Sequence, residues 1–297
     1  MDTLYDAAGR PIEESLLQEE ISAPVDYVRP IWTDTAADKL TPDNLARMLQ
    51  LAREGDAREY LTLADDMEER EPHYSSVLRT RKLAVSGIAP QVKSVDKKDT
   101  SATEIAEAVE NLVEEPEFGE LIADLLDAMG KGYAACEIMW DRSGKIWRPQ
   151  EYKWRDPRFF RFDIQDKEKL KLLDSENMLT GIDLPPYKFV VHYPKLKSGL
   201  KISSGLARLA AVSYMCKVYT IKDMMRFIEV FGMPLRIGKY KAGANKDDIS
   251  TLRRAVVNLG YDAAAVIPDS MKVEFVETSG GGSSKSNPFR DIADLAR

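Results

Sequence analysis

The sequence predicts an α+β fold, and three observations predict it. Between Thr41 and Gly130 apolar residues recur at helical spacing behind recognisable caps. From Tyr133 the period changes to aromatic-rich, strand-like segments. From Ser203 to Phe231 a second helical pattern runs with no proline and, after Gly205, no glycine. At 297 residues the chain is long enough for a buried core and roughly two domains.

Residues 1–40 mix acids, Pro24, Pro30 and scattered apolar residues without a period, so they read as an extended arm that contacts something else. Thr41 as N-cap and Pro42 in the first turn open a helix carrying Leu45, Met48, Leu49 and Ala52, ended by Gly55. Asp56 with Glu59 has the spacing of a capping box for a second helix bearing Tyr60, Leu63, Ala64 and Met67. Pro72 starts a third, with Tyr74, Val77, Leu78 and Val85 on its apolar side and Arg79, Arg81 and Lys82 expected on a solvated face. A short strand is expected at 88–95. Ser101 and Glu104 then form a second capping box before Ile105, Ala108, Val109 and Leu112 at core-facing spacing. The next helix runs from Glu117 to Gly130 on Phe118, Leu121, Ile122, Leu125, Leu126 and Met129. Residues 101–130 hold nine acids and no Lys or Arg, so this stretch wants an apolar partner on one side and water or a repelled polyanion on the other.

Residues 133–195 read as a small, mostly antiparallel β insertion, with strands in YAACEIMW, KIWRPQEYKW, RFFRFD, LKLLD and YKFVVHY. The helix from Ser203 to Phe231 would be on the order of 40 Å long at 1.5 Å per residue, and Gly232 and Pro234 stop it. PLRIGKY is strand-like, Asn245 caps a helix to Gly260, and DAAAVIP and MKVEFVE look like two further strands. TSGGGSSKS (278–286) is a flexible linker, and Asn287 with Pro288 opens a helix bearing Phe289 and Ile292. Either the product is short or the sequence is part of a longer chain, and a helix announced and then cut favours the second. From Lys188 to Arg254 there are 14 basic residues and four acids, the reverse of the charge earlier in the chain.

Composition removes whole classes of function. With 44% apolar and 31% charged residues and a net charge of -7, dominant disorder is excluded. No apolar run approaches a bilayer span and MDTLYDAAGR lacks a signal pattern, so a cytoplasmic starting point is expected. Cys136 and Cys216 read as free thiols, and with only His73 and His192 beside them a transition-metal site is not expected. There is no phosphate-binding GxxxxGK loop, and the Gly280–Gly282 run has no dinucleotide-binding context. Ser198 and Lys201 match SxxK without that motif's partner sequences, and a loop before the Ser203 helix is the plainer reading. The acid pairs Asp65/Asp66, Glu68/Glu69 and Asp247/Asp248 read as helix surface. Lys195, Lys197, Lys201, Arg208, Lys217, Lys222 and Arg226, with Tyr193, Tyr214 and Tyr219, suit phosphate contact, yet a pI near 5.2 suits sliding better than gripping. Equally, these cations suit the acidic helix of a neighbouring subunit.

The blocks HYSSVLRTRKLAVSGI, GYAACEIMW, SSGLARLAAVSYMCKVYTIKDMMRFIEVFGMPLRIGKYKAGA, LGYDAAAVIPDSMKVEF and NPFRDIADLAR resemble the Mu-like phage portal protein family, FGMPLRIGKY and DAAAVIP most specifically. Family members continue well past position 297, into the rest of a channel-lining helix and a crown. The resemblance implies a non-enzymatic, cofactor-free ring, typically of twelve copies, at one capsid vertex. DNA is packaged and ejected through it, with the terminase large subunit, neck or adaptor proteins, and capsid and scaffold proteins as partners. It implies no membrane. The site would be the virion, reached from the host cytoplasm during assembly.

Mapped by element order, the resemblance implies an arm at 1–40, wing helices at 41–116, a first stem helix at 117–132 and a β-rich insertion including the clip at 133–202. A second stem helix at 203–232, wing strands and helix at 233–277, and a loop with the start of a tunnel helix at 278–297 complete it. Glu117, Glu120, Asp124 and Asp127 are then the candidate channel lining. Arg155, Arg158 and Arg161 are the candidate terminase or neck contacts, and Lys217, Lys222 and Arg226 the candidate inter-subunit or DNA-facing cations. The competing class is a DNA-processing enzyme of the packaging machinery, a nuclease or ATPase, which the missing phosphate-loop and metal signatures count against.

Overall fold

The computed structural model describes residues 4–6, 8–25, 27–31, 35–36, 40–144, 147–231, 235–240, 243–258 and 271–276. The chain divides into two compact units, Met1–Met215 and Cys216–Arg297.

In the first unit, Thr41 caps α2 (Pro42–Arg53), its hydroxyl oxygen accepting from the Asn44 N–H at 3.2 Å, and Leu45, Met48 and Ala52 are buried. Helix α3 (Arg58–Arg70) is buried on most sides, from Tyr60 to Met67. Its start differs from the expected capping box: Ala57 is the N-cap and makes no side-chain cap bond, while the Asp56 carboxylate accepts from the Arg58 N–H at 3.3 Å. Helix α4 (Pro72–Ser86) buries only Leu78. Arg79 and Arg81 are solvated, but Lys82 is not, because its ammonium is drawn to Glu68 and Asp127. The strand expected at 88–95 is irregular chain instead; among the described residues no strand pairs with it, and Ile88 and Val95 are exposed.

Helix α5 (Thr100–Glu114) starts one residue before Ser101, capped by Asp99, which accepts from the Ser101 N–H at 2.9 Å. The core-facing expectation fails here: none of its residues is buried. Ala108, Val109 and Leu112 instead overhang a groove of about 610 Å³ whose far wall carries Trp140, Trp147 and Tyr152. The single helix expected from 117 to 132 is two pieces, α6 (Pro116–Leu125) and α7 (Ala128–Lys131). Between them Asp127, Met129 and Gly130 donate to carbonyls three residues back, so the chain winds more tightly and cannot continue the α-helix.

Strand β1 (Ala134–Asp141) is the centre of a sheet ordered β2–β1–β6, with β2 at Arg148–Arg155 and β6 at Phe189–His192, all antiparallel. A smaller antiparallel sheet joins β3 (Phe160–Phe162), β4 (Leu170–Leu172) and β5 (Ile182–Asp183), burying Phe160, Phe162, Leu170 and Leu172. The strand pattern therefore holds, but the segment is not an appended insertion. Ala134 to Ile138 are buried in the core of the unit, packed against α6 and helix α1 (Glu14–Gln18). Nor is the first segment a free arm: Ile12, Leu17, Val28, Ala36 and Leu40 are buried against this same unit.

Two glycines set where the long helix α8 (Leu206–Phe231) begins. Gly132 has φ +105°, and a Cβ there would stand 2.9 Å from the Ile202 carbonyl oxygen. At Gly205 a Cβ would stand 2.6 Å from the Gly130 carbonyl oxygen. The backbone of α7 and the short 3₁₀ turn Lys201–Ser204 can approach this closely only without those side chains. With 26 residues, α8 is about 39 Å long.

The second unit takes the rest of α8, then β7 (Leu235–Tyr240), α9 (Lys246–Asn258) and β8 (Met271–Val276). The strands pair antiparallel, Leu235 opposite Val276, and Gly238 lets Leu252 and Val256 of α9 close on β7. Asn245 precedes α9, its side-chain oxygen accepting from the Lys246 N–H at 2.8 Å. Gly232, Pro234, the DAAAVIP strand, the 278–286 linker and the helix opening at Asn287 lie outside the described residues.

Candidate functional site

The charges nearest the core are spent on holding the fold. Glu137, in the middle of β1, is 0% exposed. It accepts from the Ile21 N–H at 2.8 Å, from the Ser22 N–H and hydroxyl, from Arg155 Nε at 3.0 Å and Nη2 at 2.8 Å, and it pairs with Lys188 at 3.3 Å. Burial alone would raise its pKa, but Ser22, the Ile21 amide and the two cations together hold it below the ordinary carboxylate value. The Lys188 ammonium also donates to the Leu17 carbonyl at 2.9 Å, and Glu20 pairs with Lys153 and Arg155. A carboxylate so fully occupied has no lone pair left for acid–base work; its role is to fasten residues 17–22 to the sheet.

A second network joins α3, α4 and α7. Lys131 Nζ lies 2.6 Å from Asp65 and 2.8 Å from Asp127; Lys82 lies 2.8 Å from Glu68 and 3.2 Å from Asp127; Arg158 pairs with Asp65 at 2.7 Å and Asp156 at 2.8 Å. Burial opposes the charge on Lys131, yet Asp127 and Asp65 outweigh it and raise its pKa.

These networks redraw the candidate sites. Of the acids expected to line a channel, Glu117 and Glu120 are exposed on α6, Asp124 is half-buried, and Asp127 points inward between Lys82 and Lys131. Burial, with Asp127 and Glu120 nearby, raises the Asp124 pKa. Arg155 and Arg158, expected as docking contacts, are only 6% and 8% exposed because internal carboxylates claim their guanidinium groups. Arg161 is half-buried. In the second unit Lys217 is half-buried, while Lys222 and Arg226 are exposed. No spacing in the sequence pairs Glu137 with Ser22 or Asp65 with Arg158; the one available signal was an acid inside the apolar strand YAACEIMW.

The lysine of the SxxK match is already engaged. Lys201 Nζ donates to the Glu168 carbonyl at 2.9 Å and sits 4.4 Å from the centre of the Tyr193 ring. Burial pushes the Cys136 thiol up to about 12 and lowers the His192 pKa. Among the described residues no group of three or more His, Cys, Asp or Glu is arranged to hold a metal ion, and no helix is long and apolar enough to cross a membrane.

What stands out instead is apolar surface on helices: Leu83 on α4, Ile105 on α5, and Leu209, Val212, Ile221 and Met225 on α8 are all more than half exposed. Where such residues are contiguous they form a surface that another molecule can cover. A family model described as “Portal protein of Mu bacteriophage” matches residues 61–297. The chain belongs to the Mu portal protein family. It is 30% identical over 285 residues to the “Mu-like prophage FluMu protein gp29” of Haemophilus influenzae, a match that takes in 95% of this chain and 54% of that one. It is also 30% identical over 292 residues to the portal protein of Escherichia phage Mu, covering 97% of this chain and 56% of that protein. The chain thus spans about half the length of the curated relatives it matches. Among solved structures it resembles a chain of the “Neck of empty GTA particle computed with C6 symmetry” with a TM-score of 0.50. That likeness covers 90% of this chain and 68% of the other at 12% identity, and it is one of fold alone.

Proposed function

We propose that the chain acts as a bacteriophage portal protein. Copies form a ring, of twelve in this reading, at one capsid vertex, and double-stranded DNA passes through it during packaging and ejection. The observation that carries this is the family match over residues 61–297, joined to 30% identity with the Mu portal protein across 97% of the chain. The work is mechanical rather than catalytic: a scaffold and conduit on which terminase, neck, capsid and scaffold proteins dock, in the virion after assembly in the host cytoplasm.

The division of labour differs from the one mapped by element order. At ten residues α6 is about 15 Å long, which is short for a stem, whereas α8 has the length of one. The β-rich segment 133–202 is better suited to the wing, since β1 is core. In this reading α8 is the first stem helix, and β7, α9 and β8 form the clip. Glu117 and Glu120, with Asp124 beside them, stay in the proposal as acids facing the DNA path, where like charge keeps phosphates from adhering over a screening length of about 8 Å. Lys222 and Arg226 serve as subunit- or DNA-facing cations, with Lys217 beside them, and Arg161 alone remains of the docking arginines.

Cryo-electron microscopy of assembled copies tests this. We expect closed rings, with β7, α9 and β8 at the end that binds terminase. Particles that stay single at every concentration refute the ring, and rings in which 133–202 forms the projecting end refute the reassignment.

A further inference from the structure

Two surfaces of Met1–Met215 have complementary chemistry and lie on different sides of that unit. The first is a groove of about 740 Å³ between α2, the segment 196–205 and the first turn of α8. Its cations are Arg53, Lys197 and Arg208, its apolar wall is Leu49, Leu206 and Leu209, and among the described residues no carboxylate lines it. Leu209 is 81% exposed. Arg208 donates from Nη2 to the Leu49 carbonyl at 2.8 Å, but its Nη1 is buried without a hydrogen-bond partner. Burial and the nearby Arg53 charge both disfavour the Arg208 cation, so a carboxylate brought into the groove would offset both.

The second surface is the turn 174–181 between β4 and β5. The Asn177 N–H donates to the Asp174 carbonyl at 3.1 Å and the Gly181 N–H to the Asn177 carbonyl at 2.8 Å. Gly181, at φ +67°, folds the turn back so closely that a Cβ there would stand 2.9 Å from the Leu172 carbonyl oxygen. This ordered turn presents Met178 and Leu179 side by side, 51% and 77% exposed, with the exposed Glu176 two residues before them. Residues 172–187 hold three acids and no Lys or Arg, and among the described residues Glu176 enters no ion pair. Helices α4 and α5 offer no such combination. On α4, Leu83 stands one turn from Arg79; on α5, Glu107, Glu110 and Glu114 lie across the helix from Ile105.

The turn also leaves its sheet away from its own groove. Just past α2 the Gly55 carbonyl accepts from the Phe162 N–H at 3.2 Å, and Lys201 donates to the Glu168 carbonyl. The groove side of the unit therefore adjoins the end of the small sheet where Phe162 pairs with Leu170. The turn emerges from the other end, past Leu172, where Phe160 is its partner.

We propose that the 174–181 turn of one copy seats in the groove of the next, Met178 and Leu179 covering Leu206 and Leu209, and Glu176 meeting Arg53 and Arg208. The contact joins different surfaces of the two copies, so it repeats from copy to copy and closes into a ring when the rotation allows. It rests on the portal reading and names surfaces that would build the ring. A phosphate backbone is the rival occupant. The leucine wall favours the turn, because phosphate contact leaves Leu206 and Leu209 in water while the Met178–Leu179 tip covers them. One turn in one groove buries less than the roughly 1,200–2,000 Å² of a stable binary complex, so pairwise association is weak and ring closure reinforces it.

Site-directed cross-linking of the full chain tests the contact. In a Cys216→Ser background, Leu179→Cys and Leu209→Cys are made separately, mixed, and treated with a short bis-maleimide. We expect linked dimers in the mixture and not in either variant alone, and a ladder of multimers from the double variant. Arg53→Glu lowers the yield about tenfold, and Glu176→Arg added to it restores the link. If the same chain forms multimers by mass photometry but the mixed pair does not link, the contact is wrong and the ring stands. Absence of both multimers and link removes the contact and the portal reading together. Equal linking within a single variant also overturns the contact, as does a DNA duplex that binds through Arg53 while the copies fail to link.

Discussion

Strand β1 and helix α5 both carry a clear apolar pattern, yet they end in opposite environments. In β1 five consecutive residues are buried, and the charge among them, Glu137, is enclosed by two cations and two amides. In α5 nothing is buried, and the apolar stripe roofs a groove rather than filling a core. A periodic pattern tells that a face will be covered. It does not tell whether the cover belongs to the same chain. In β1 it does, supplied by residues from the first 22 and from β2 and β6; in α5 the described residues of the chain cover the stripe only in part.

That contrast yields graded expectations. The largest concerns Glu137→Ala, which leaves Arg155 and Lys188 buried without their shared anion and should lower stability by about 3–5 kcal/mol in chemical denaturation. Protease should then also cut near residues 17–22. A loss below about 1 kcal/mol would mean that the network is not what closes this side of the sheet. Next, Leu121→Ala on α6, a 5% exposed residue, should cost about 2–5 kcal/mol, while Ile105→Asn on α5 should stay within about 0.5 kcal/mol. If both cost the same, α5 is packed within the chain and the comparison breaks.

Acid sharpens it further. The Glu137 pKa is held below its unfolded value, so its stabilising contribution is present above the ordinary carboxylate range near 4.3 and is lost as pH falls through the folded value. Cleavage at residues 17–22 should therefore rise below about pH 4, and that rise should be missing in Glu137→Gln, whose latch is already weakened at neutral pH. Limited proteolysis at a series of pH values reads both. The smallest effect has the opposite sign. Asp124 is raised by burial and by Asp127 and Glu120, so its charge opposes folding at neutral pH, and Asp124→Asn should raise the melting temperature slightly. A decrease would mean that its carboxylate holds a partner.

Much of the fold was legible in the residues. Thr41 as a cap, the apolar spacing of α2 and α3, the change of period at Tyr133 and the unbroken run of α8 each follow from local preferences that act over one or two turns. The site was far less legible. Arg155 and Arg158 look like any surface arginines in sequence, and only the return of Glu137 and Asp65 from distant elements buries them. The break between α6 and α7 has no glycine or proline to announce it, since Leu126 and Asp127 are ordinary helix residues. It arises where Asp127 reaches both Lys82 and Lys131.

Local order, the α+β class and the family are thus properties of the sequence itself, because helix caps, strand periods and family motifs reside in neighbouring residues. Which charges are free, where the 117–130 stretch breaks and which apolar faces stay uncovered among the described residues were decided by tertiary structure. Burial and ion pairing depend on residues more than a hundred positions apart, as Ile21 and Glu137 are, and no local pattern specifies where the chain returns to itself.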